Sequence, residues 1–110
     1  MRVLIVDDDA GVRALLERLL AEAGLEIATA AGVAEARQLA PAWRPDVLLA
    51  DVRLADGSGI DLAVELLAAQ PGLRVVLMTG SDETGEVPWP VLTKPFDLPL
   101  AVRLVAGRRP

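Results

Sequence analysis

Short apolar runs recur along this chain, and each leads into a polar or charged side chain. Asp7 and Asp8 follow the run VLIV, and Asp51 follows VLLA. Thr79 follows VVLM, and Lys94, the only lysine of the chain, follows VLT. Runs of this length and content are typical of buried strands. If the strands are parallel neighbours in one sheet, these side chains meet at the rim where α/β folds bind ligands.

The stretches between the runs have helical spacing or turn chemistry. From Ala10 to Ala23 the apolar residues, Leu15 among them, recur at the spacing of a helix with one buried face. The predicted strands are Arg2–Val6, Leu25–Thr29, Asp46–Ala50, Arg74–Met78 and Val91–Thr93; the predicted helices are Ala10–Ala23, Val33–Ala40 (ended by Pro41), a helix that Ser58 caps and that runs to about Gln70, and one that runs from Asp97 to about Val105; Ala55–Gly59 is a predicted turn. Strands alternating with helices predict an α/β fold with one doubly wound, five-stranded parallel sheet.

Composition narrows the classes of function. The chain has no cysteine and no histidine, which excludes disulfides, thiolate or imidazole metal ligands and Ser-His catalysis. A net charge of −5 argues against nucleic-acid binding, and no apolar run is long enough to span a membrane. With 110 residues, 53% of them hydrophobic, we expect one soluble domain over residues 1–110. A strand that begins at Arg2 leaves no room for a secretory leader, so we expect a cytoplasmic protein.

The three aspartates are the most informative set for chemistry. Brought together, Asp7, Asp8 and Asp51 would repel one another unless a cation neutralised them. Mg²⁺ suits such a site because it takes one or two carboxylates and keeps positions for water and phosphate. Singly, each aspartate is equally well explained as a turn or cap residue, so the prediction depends on the set. The ammonium of Lys94 and the hydroxyl of Thr79 would add donors for a phosphoryl group, although either is also compatible with a purely structural place.

With these motifs in this order, the chain resembles a response-regulator receiver domain, the phosphoacceptor half of two-component signalling. The matching stretches are VLIVDDD, DVLLADVRLADGSGIDL, VVLMTGSD and VLTKPFD. The resemblance implies a flavodoxin-like fold with strand order 2-1-3-4-5. It also implies a phosphohistidine donor on a sensor histidine kinase or phosphotransfer protein, and an output partner or effector domain that the sequence does not identify.

The resemblance implies a role for each acidic residue of the set. Asp51 is the phosphorylated aspartate. Asp8 binds Mg²⁺ directly, Asp7 helps through water, and the backbone carbonyl of Arg53 completes the metal site. Such a domain catalyses only its own phosphorylation and dephosphorylation, mainly by positioning and charge neutralisation.

The remaining matched residues are implied to respond to the phosphoryl group. Thr79 is the switch hydroxyl that moves toward it. Lys94 pairs with Asp51 before phosphorylation and with a phosphoryl oxygen afterwards. Arg53 and Ser81 flank the site, and we expect them to tune the lifetime of the acyl phosphate.

Three departures from the family's pattern concern the readout of the signal. Ala55 stands where the family usually has proline, which predicts a looser turn. The crossover Gly80–Pro90 is short and contains two glycines and two prolines, so the fourth helix should be shortened or absent. Val91 stands where the family has an aromatic switch residue, and Trp89 is nearby at the wrong spacing. We therefore expect weakened or altered coupling from Thr79 to this face.

Two other functions are compatible with parts of the sequence. One is a receiver-like module that binds a partner without phosphorylation, which the altered crossover favours and the complete set of site residues disfavours. The other is a metal-dependent phosphohydrolase working through an aspartyl phosphate. Such an enzyme needs a cap or a substrate pocket, for which 110 residues leave little chain.

Overall fold

The structure, a computed structural model, describes residues 1–80, 85–95 and 97–107. In these residues the strands are β1 (Arg2–Val6), β2 (Glu26–Ala30), β3 (Val47–Asp51), β4 (Arg53–Leu54), β5 (Gly57–Ser58), β6 (Arg74–Thr79) and β7 (Val91–Thr93); the helices are α1 (Ala10–Glu22), α2 (Val33–Trp43), α3 (Gly59–Ala69) and α4 (Leu98–Ala106). Five strands form a parallel sheet in the order β2-β1-β3-β6-β7, and β4 pairs with β5 in a separate antiparallel ribbon. The predicted α/β class with a parallel central sheet is confirmed.

The sheet is buried on both faces, which explains why its strands are almost wholly apolar. In β1, Val3 and Ile5 belong to one core cluster, together with buried residues of α1 and α4. Leu4 and Val6 belong to the other cluster, together with buried residues of α2 and α3. Side chains of a strand alternate between faces, so one apolar run serves both clusters. None of the helices in the described part is both long and apolar enough to cross a bilayer.

Three helices begin after a residue whose side chain caps them, as predicted for Ser58. The side chain of Asp9 accepts hydrogen bonds at the start of α1, that of Ser58 at the start of α3, and that of Asp97 at the start of α4. These acceptors satisfy backbone N–H groups that have no partner within the helix. Leu15 departs from the expected buried face of α1, because its side chain is 49% exposed.

The predicted end of α2 at Pro41 is wrong, since the helix continues to Trp43. Proline removes one backbone donor, and here packing outweighs that loss. Trp43 packs against the core cluster of α2 and α3, and the guanidinium of Arg2 lies 5.6 Å from the centre of its ring. Arg44 then ends the helix in a left-handed conformation.

Several strands and one turn have different bounds in the structure from those predicted. β2 and β3 each lie one residue later than predicted, and β6 extends to Thr79, which pairs with Thr93 of β7. Asp51 and Thr79 are therefore the last residues of their strands. The predicted turn Ala55–Gly59 is present but narrower, because Ala55 and Asp56 form the turn of a hairpin in which Arg53 pairs with Ser58.

The crossover between β6 and β7 is described at Gly80 and at Gly85–Pro90, and none of these residues is helical. Val87 and Trp89 pack against the core cluster of α2 and α3. Residues 81–84 lie outside the described part of the chain. The shortened or absent fourth helix therefore remains a prediction.

Candidate functional site

The carboxyl ends of β1, β3, β6 and β7 bring the predicted polar residues to one rim of the sheet. β3 lies between β1 and β6, so Asp51 at its end is flanked by the ends of both neighbours. Asp7 is fully buried, and Asp51 and Thr79 are also buried, at 9% and 5% exposure. Buried polar groups need partners, so their contacts define how the site is built.

Lys94 joins the two buried carboxylates. Its Nζ donates to Oδ2 of Asp51 at 2.6 Å and to Oδ2 of Asp7 at 2.9 Å. Burial of the ammonium lowers the pKa of Lys94, but the hydrogen bonds and charges of Asp51 and Asp7 outweigh it and hold this pKa above its usual value. Lys94 is therefore positively charged at neutral pH, with its side chain 25% exposed at the edge of the site.

Asp8 completes an acidic cluster beside this ion pair. One carboxylate oxygen from each of Asp7, Asp8 and Asp51 lies within 4.8 Å of the others, and Asp8 is exposed. Three carboxylates and one ammonium leave a net charge of −2. An all-oxygen donor set with one open, solvent-facing side fits a hard divalent cation such as Mg²⁺.

Backbone contacts hold Asp7 in place. Its Oδ1 accepts a hydrogen bond from the N–H of Asp9 at 2.8 Å, and its own N–H donates to the carbonyl of Ala30 at 3.2 Å. The guanidinium of Arg13, one turn into α1, donates to the carbonyl of Asp7 at 2.5 Å. Arg13 was not predicted to belong to the site, because its position in a helical pattern gives no sign that its side chain reaches back to the end of β1.

Asp51 is held by the chain that follows it. Its Oδ1 accepts from the backbone N–H of Arg53 at 3.1 Å, and the N–H of Val52 donates to the carbonyl of Met78 at 2.8 Å. Gly59, the first residue of α3, packs so closely that a β-carbon there would overlap the backbone carbonyl oxygen of Asp51. This role of Gly59 was not predicted from the sequence.

The other predicted residues lie around this centre. The carbonyl of Thr79 accepts from the backbone N–H of Lys94 at 2.7 Å, which ties the end of β6 to the ammonium-bearing loop. The Lys94–Pro95 peptide bond is cis. Val91 begins β7 opposite Leu77 and packs against the core cluster of α2 and α3. Ser81 lies outside the described residues.

Comparison with known proteins agrees with this arrangement. The family model for the response regulator receiver domain matches residues 3–88. The DNA-binding transcriptional activator DevR/DosR of Mycobacterium tuberculosis is 46% identical over 87 residues, covering 76% of this chain and 40% of that protein. The DNA-binding transcriptional regulator NtrC of Escherichia coli K12 is 39% identical over 110 residues, covering 94% of this chain and 24% of that protein. The chain thus spans less than half the length of either relative.

The fold is also similar to that of solved response regulators. A two component transcriptional regulator AraC from Clostridium phytofermentans superposes with a TM-score of 0.88 at 29% identity, covering 97% of this chain and 90% of that one. The family match includes the three aspartates and Thr79 but ends before Lys94, so the place of Lys94 in the site depends on its contacts with Asp51 and Asp7. These likenesses support a phosphoacceptor function and give no support to a module that works without phosphorylation. The chain belongs to the response regulator receiver domain family of two-component signalling.

Proposed function

We propose that Asp51 is the residue that accepts the phosphoryl group, and that residues 1–110 belong to one receiver domain. The observation that carries the assignment is the bridge from Lys94 to Asp51 and Asp7, with Asp8 at the open side. Asp51 is the carboxylate of this cluster that ends the central strand, and it has contacts on both oxygens. This geometry holds the Asp51 carboxylate in position to attack phosphorus, between the ammonium of Lys94 and the carboxylates of Asp7 and Asp8.

The proposed reaction transfers a phosphoryl group from a histidine of a sensor kinase or phosphotransfer protein. A carboxylate oxygen of Asp51 forms a bond to phosphorus, the phosphorus–nitrogen bond breaks, and the imidazole leaves with its electron pair. Lys94 then pairs with a phosphoryl oxygen, and the Thr79 hydroxyl turns toward the same group. Water later attacks the phosphorus, so phosphate leaves and the Asp51 carboxylate is restored. Arg53 and Ser81 are proposed to tune the rate of this hydrolysis.

Mg²⁺ is the proposed cofactor, with Asp8, Asp51 and the backbone carbonyl of Arg53 as direct ligands and Asp7 acting through water. When bound, the ion neutralises the carboxylates and the oxygens of the transferred group. Without it the cluster keeps two uncompensated negative charges, which repel an incoming phosphate. The choice of Mg²⁺ rests on the chemistry of the oxygen donors.

Phosphorylation by a small donor tests the assignment. The parent is incubated with acetyl phosphate and Mg²⁺ and its intact mass is measured, alongside Asp51→Ala and Asp61→Ala, a loss of an exposed carboxylate on α3. We expect one phosphoryl adduct on the parent and on Asp61→Ala, and none on Asp51→Ala or without Mg²⁺. An adduct on Asp51→Ala would place the phosphoacceptor elsewhere.

A shallow apolar cleft beside Lys94 is the proposed docking surface for the phosphodonor protein. It is lined by Val12 and Leu15 of α1 and by Pro95 and Leu98 next to Lys94. Asp51 is only 9% exposed, so a donor histidine must approach closely, and an apolar anchor next to the site would position it. In this proposal the exposed apolar side chain of Leu15, which departs from the predicted pattern, contacts the donor protein.

Comparing two kinds of donor separates docking from chemistry. Leu15→Asp should slow transfer from a phosphorylated kinase or phosphotransfer domain that phosphorylates the parent, while leaving acetyl phosphate labelling unchanged. Val64→Asp, on α3, is a matched control because Val64 is 57% exposed and lies outside the cleft. Equal effects of both substitutions on both donors would refute this docking surface.

We further propose that β6 and β7 correspond to the fourth and fifth strands of the flavodoxin-like order 2-1-3-4-5, with a shortened or absent helix between them. Val91 in place of an aromatic residue supports weak coupling from Thr79 to this face. A structure with beryllium fluoride bound at Asp51 tests this, since a large ordered helix shift between β6 and β7 would contradict it. We also propose a cytoplasmic location.

A further inference from the structure

The start of α2 is capped by a residue from outside the helix. Gly32 occupies the N-cap position and offers no side-chain acceptor. Instead, Oδ1 of Asp56 accepts from the N–H of Val33 at 2.8 Å, and Oδ2 accepts from the N–H of Ala34 at 3.0 Å. The helices α1, α3 and α4 are capped by the residue directly before each of them. Thus α2 has a cap on a different segment, the hairpin that follows the phosphoacceptor strand.

That hairpin also contacts the site. Arg53 in β4 pairs with Ser58 in β5, and Asp56 lies in the connection between the two strands. At the other end of the hairpin, the N–H of Arg53 donates to Oδ1 of Asp51 at 3.1 Å. A short hairpin therefore connects the carboxylate of Asp51 to the first turn of α2.

Two glycines make this connection possible. A β-carbon at Gly32 would lie 2.6 Å from Oδ1 of Asp56, which is closer than such atoms approach. Gly57, directly after Asp56, has a φ of +156°, a conformation that side-chain-bearing residues rarely adopt. A glycine is therefore needed on each side of the cap, at Gly32 before the helix and at Gly57 after Asp56. The hydrogen bonds from the N–H groups of Ala34 and Val33 also hold the pKa of Asp56 below its usual value.

We propose that Asp56 is a positioning residue for the phosphorylation site, which holds the hairpin and so the backbone of Arg53 in the geometry that binds the metal and the Asp51 carboxylate. The inference rests on the proposed function of Asp51. Because a coupling between two sites is reciprocal, Mg²⁺ binding will in turn tighten the first turn of α2. α2 would then report the state of the site by a route that does not pass through Thr79 or the crossover.

The test measures Mg²⁺ affinity and the backbone amides of Val33 and Ala34 in the same samples, by NMR. We compare the parent with Asp56→Ala, which has no acceptor, and with Asp56→Asn, which keeps one. A coupling of ordinary size predicts that Asp56→Ala weakens Mg²⁺ binding by about fivefold, with Asp56→Asn in between. In the parent, Mg²⁺ with beryllium fluoride should also raise the hydrogen-exchange protection of both amides.

A second variant separates positioning from the general stability of α2. Glu35, also in the first turn of α2, accepts from the N–H of Ala31 at 3.3 Å, so Glu35→Ala removes a charge and an acceptor at the same end of the helix. It should leave the Mg²⁺ affinity unchanged. The inference is overturned if Asp56→Ala binds Mg²⁺ like the parent, or if both variants weaken binding equally. If the parent binds neither Mg²⁺ nor beryllium fluoride, the proposed function fails as well.

Discussion

Replacing Asp8 by Asn is expected to stabilise the metal-free protein and to remove its response to Mg²⁺. The side chain is exposed, so the substitution disturbs no core packing. It removes one negative charge from a cluster whose carboxylate oxygens lie within 4.8 Å of one another. The two effects have opposite signs because the same carboxylate repels its neighbours and binds the cation.

The size of the first effect follows from the distances. Two like charges 4.8 Å apart in water repel by about 0.9 kcal/mol. The Asp8→Asn substitution removes two such repulsions and one attraction to Lys94. The variant therefore gains roughly 1 kcal/mol in the free energy of unfolding. For a domain of this size that gain corresponds to about 4 °C in Tm. Mg²⁺ at ten times its Kd should stabilise the parent by about 1.4 kcal/mol, so with the metal the parent overtakes the variant.

Thermal and urea unfolding, followed by circular dichroism at constant ionic strength, measure both effects. Each protein is unfolded with EDTA and with saturating Mg²⁺. Glu17→Gln, an exposed charge loss on α1 away from the cluster, should show neither the gain without metal nor any loss of the Mg²⁺ response. The reasoning is refuted if Asp8→Asn is less stable than the parent in EDTA, or if Mg²⁺ stabilises both proteins equally.

Three further predictions concern residues around the site. Gly59→Ala should lower the free energy of unfolding by at least about 2 kcal/mol, because the added methyl overlaps the carbonyl of Asp51; an unchanged urea midpoint would contradict this. Lys94→Met should tighten Mg²⁺ binding on the order of tenfold by leaving three uncompensated carboxylates, while slowing labelling by acetyl phosphate; weaker Mg²⁺ binding in a calorimetric titration would count against it. The pKa of Asp56 is held below its usual 3.8 by the N–H groups of Ala34 and Val33, so its stabilising effect is complete above that pH and is lost as the pH falls through the lowered value. The difference in unfolding free energy between the parent and Asp56→Ala should therefore be constant near neutral pH and shrink in acid, and a difference that grew in acid would reverse this sign.

The site residues at the strand ends could be predicted from the sequence, because parallel strands bring their carboxyl ends to one rim. Asp51 and Lys94 lie 43 positions apart, yet both were predicted to belong to one site from the apolar runs that precede them. The capping residues Ser58 and Asp97 were predictable for a similar reason, since a cap is a local feature of the chain. Periodicity and local chemistry thus account for the class of fold and for the membership of the acidic cluster.

Features that depend on contacts between distant segments were missed. The helix α2 continues through Pro41 because Trp43 packs on the core, a contact that no local rule contains. Arg13 reaches back to the carbonyl of Asp7, and Asp56 caps a helix that begins 23 positions earlier. In each case the side chain satisfies a backbone group whose need for a partner becomes visible only when the chain is folded.

Locating the phosphoryl group on the chain tests the central claim most directly. The phosphorylated protein is reduced with borohydride, which converts an acyl phosphate to an alcohol and so marks the modified residue for peptide mass mapping. The chain has 16 aspartates and glutamates, so the position of the mark discriminates sharply. We predict a single mark at Asp51, formed only with Mg²⁺. A mark at Asp7, at Asp8 or outside the cluster would contradict the account.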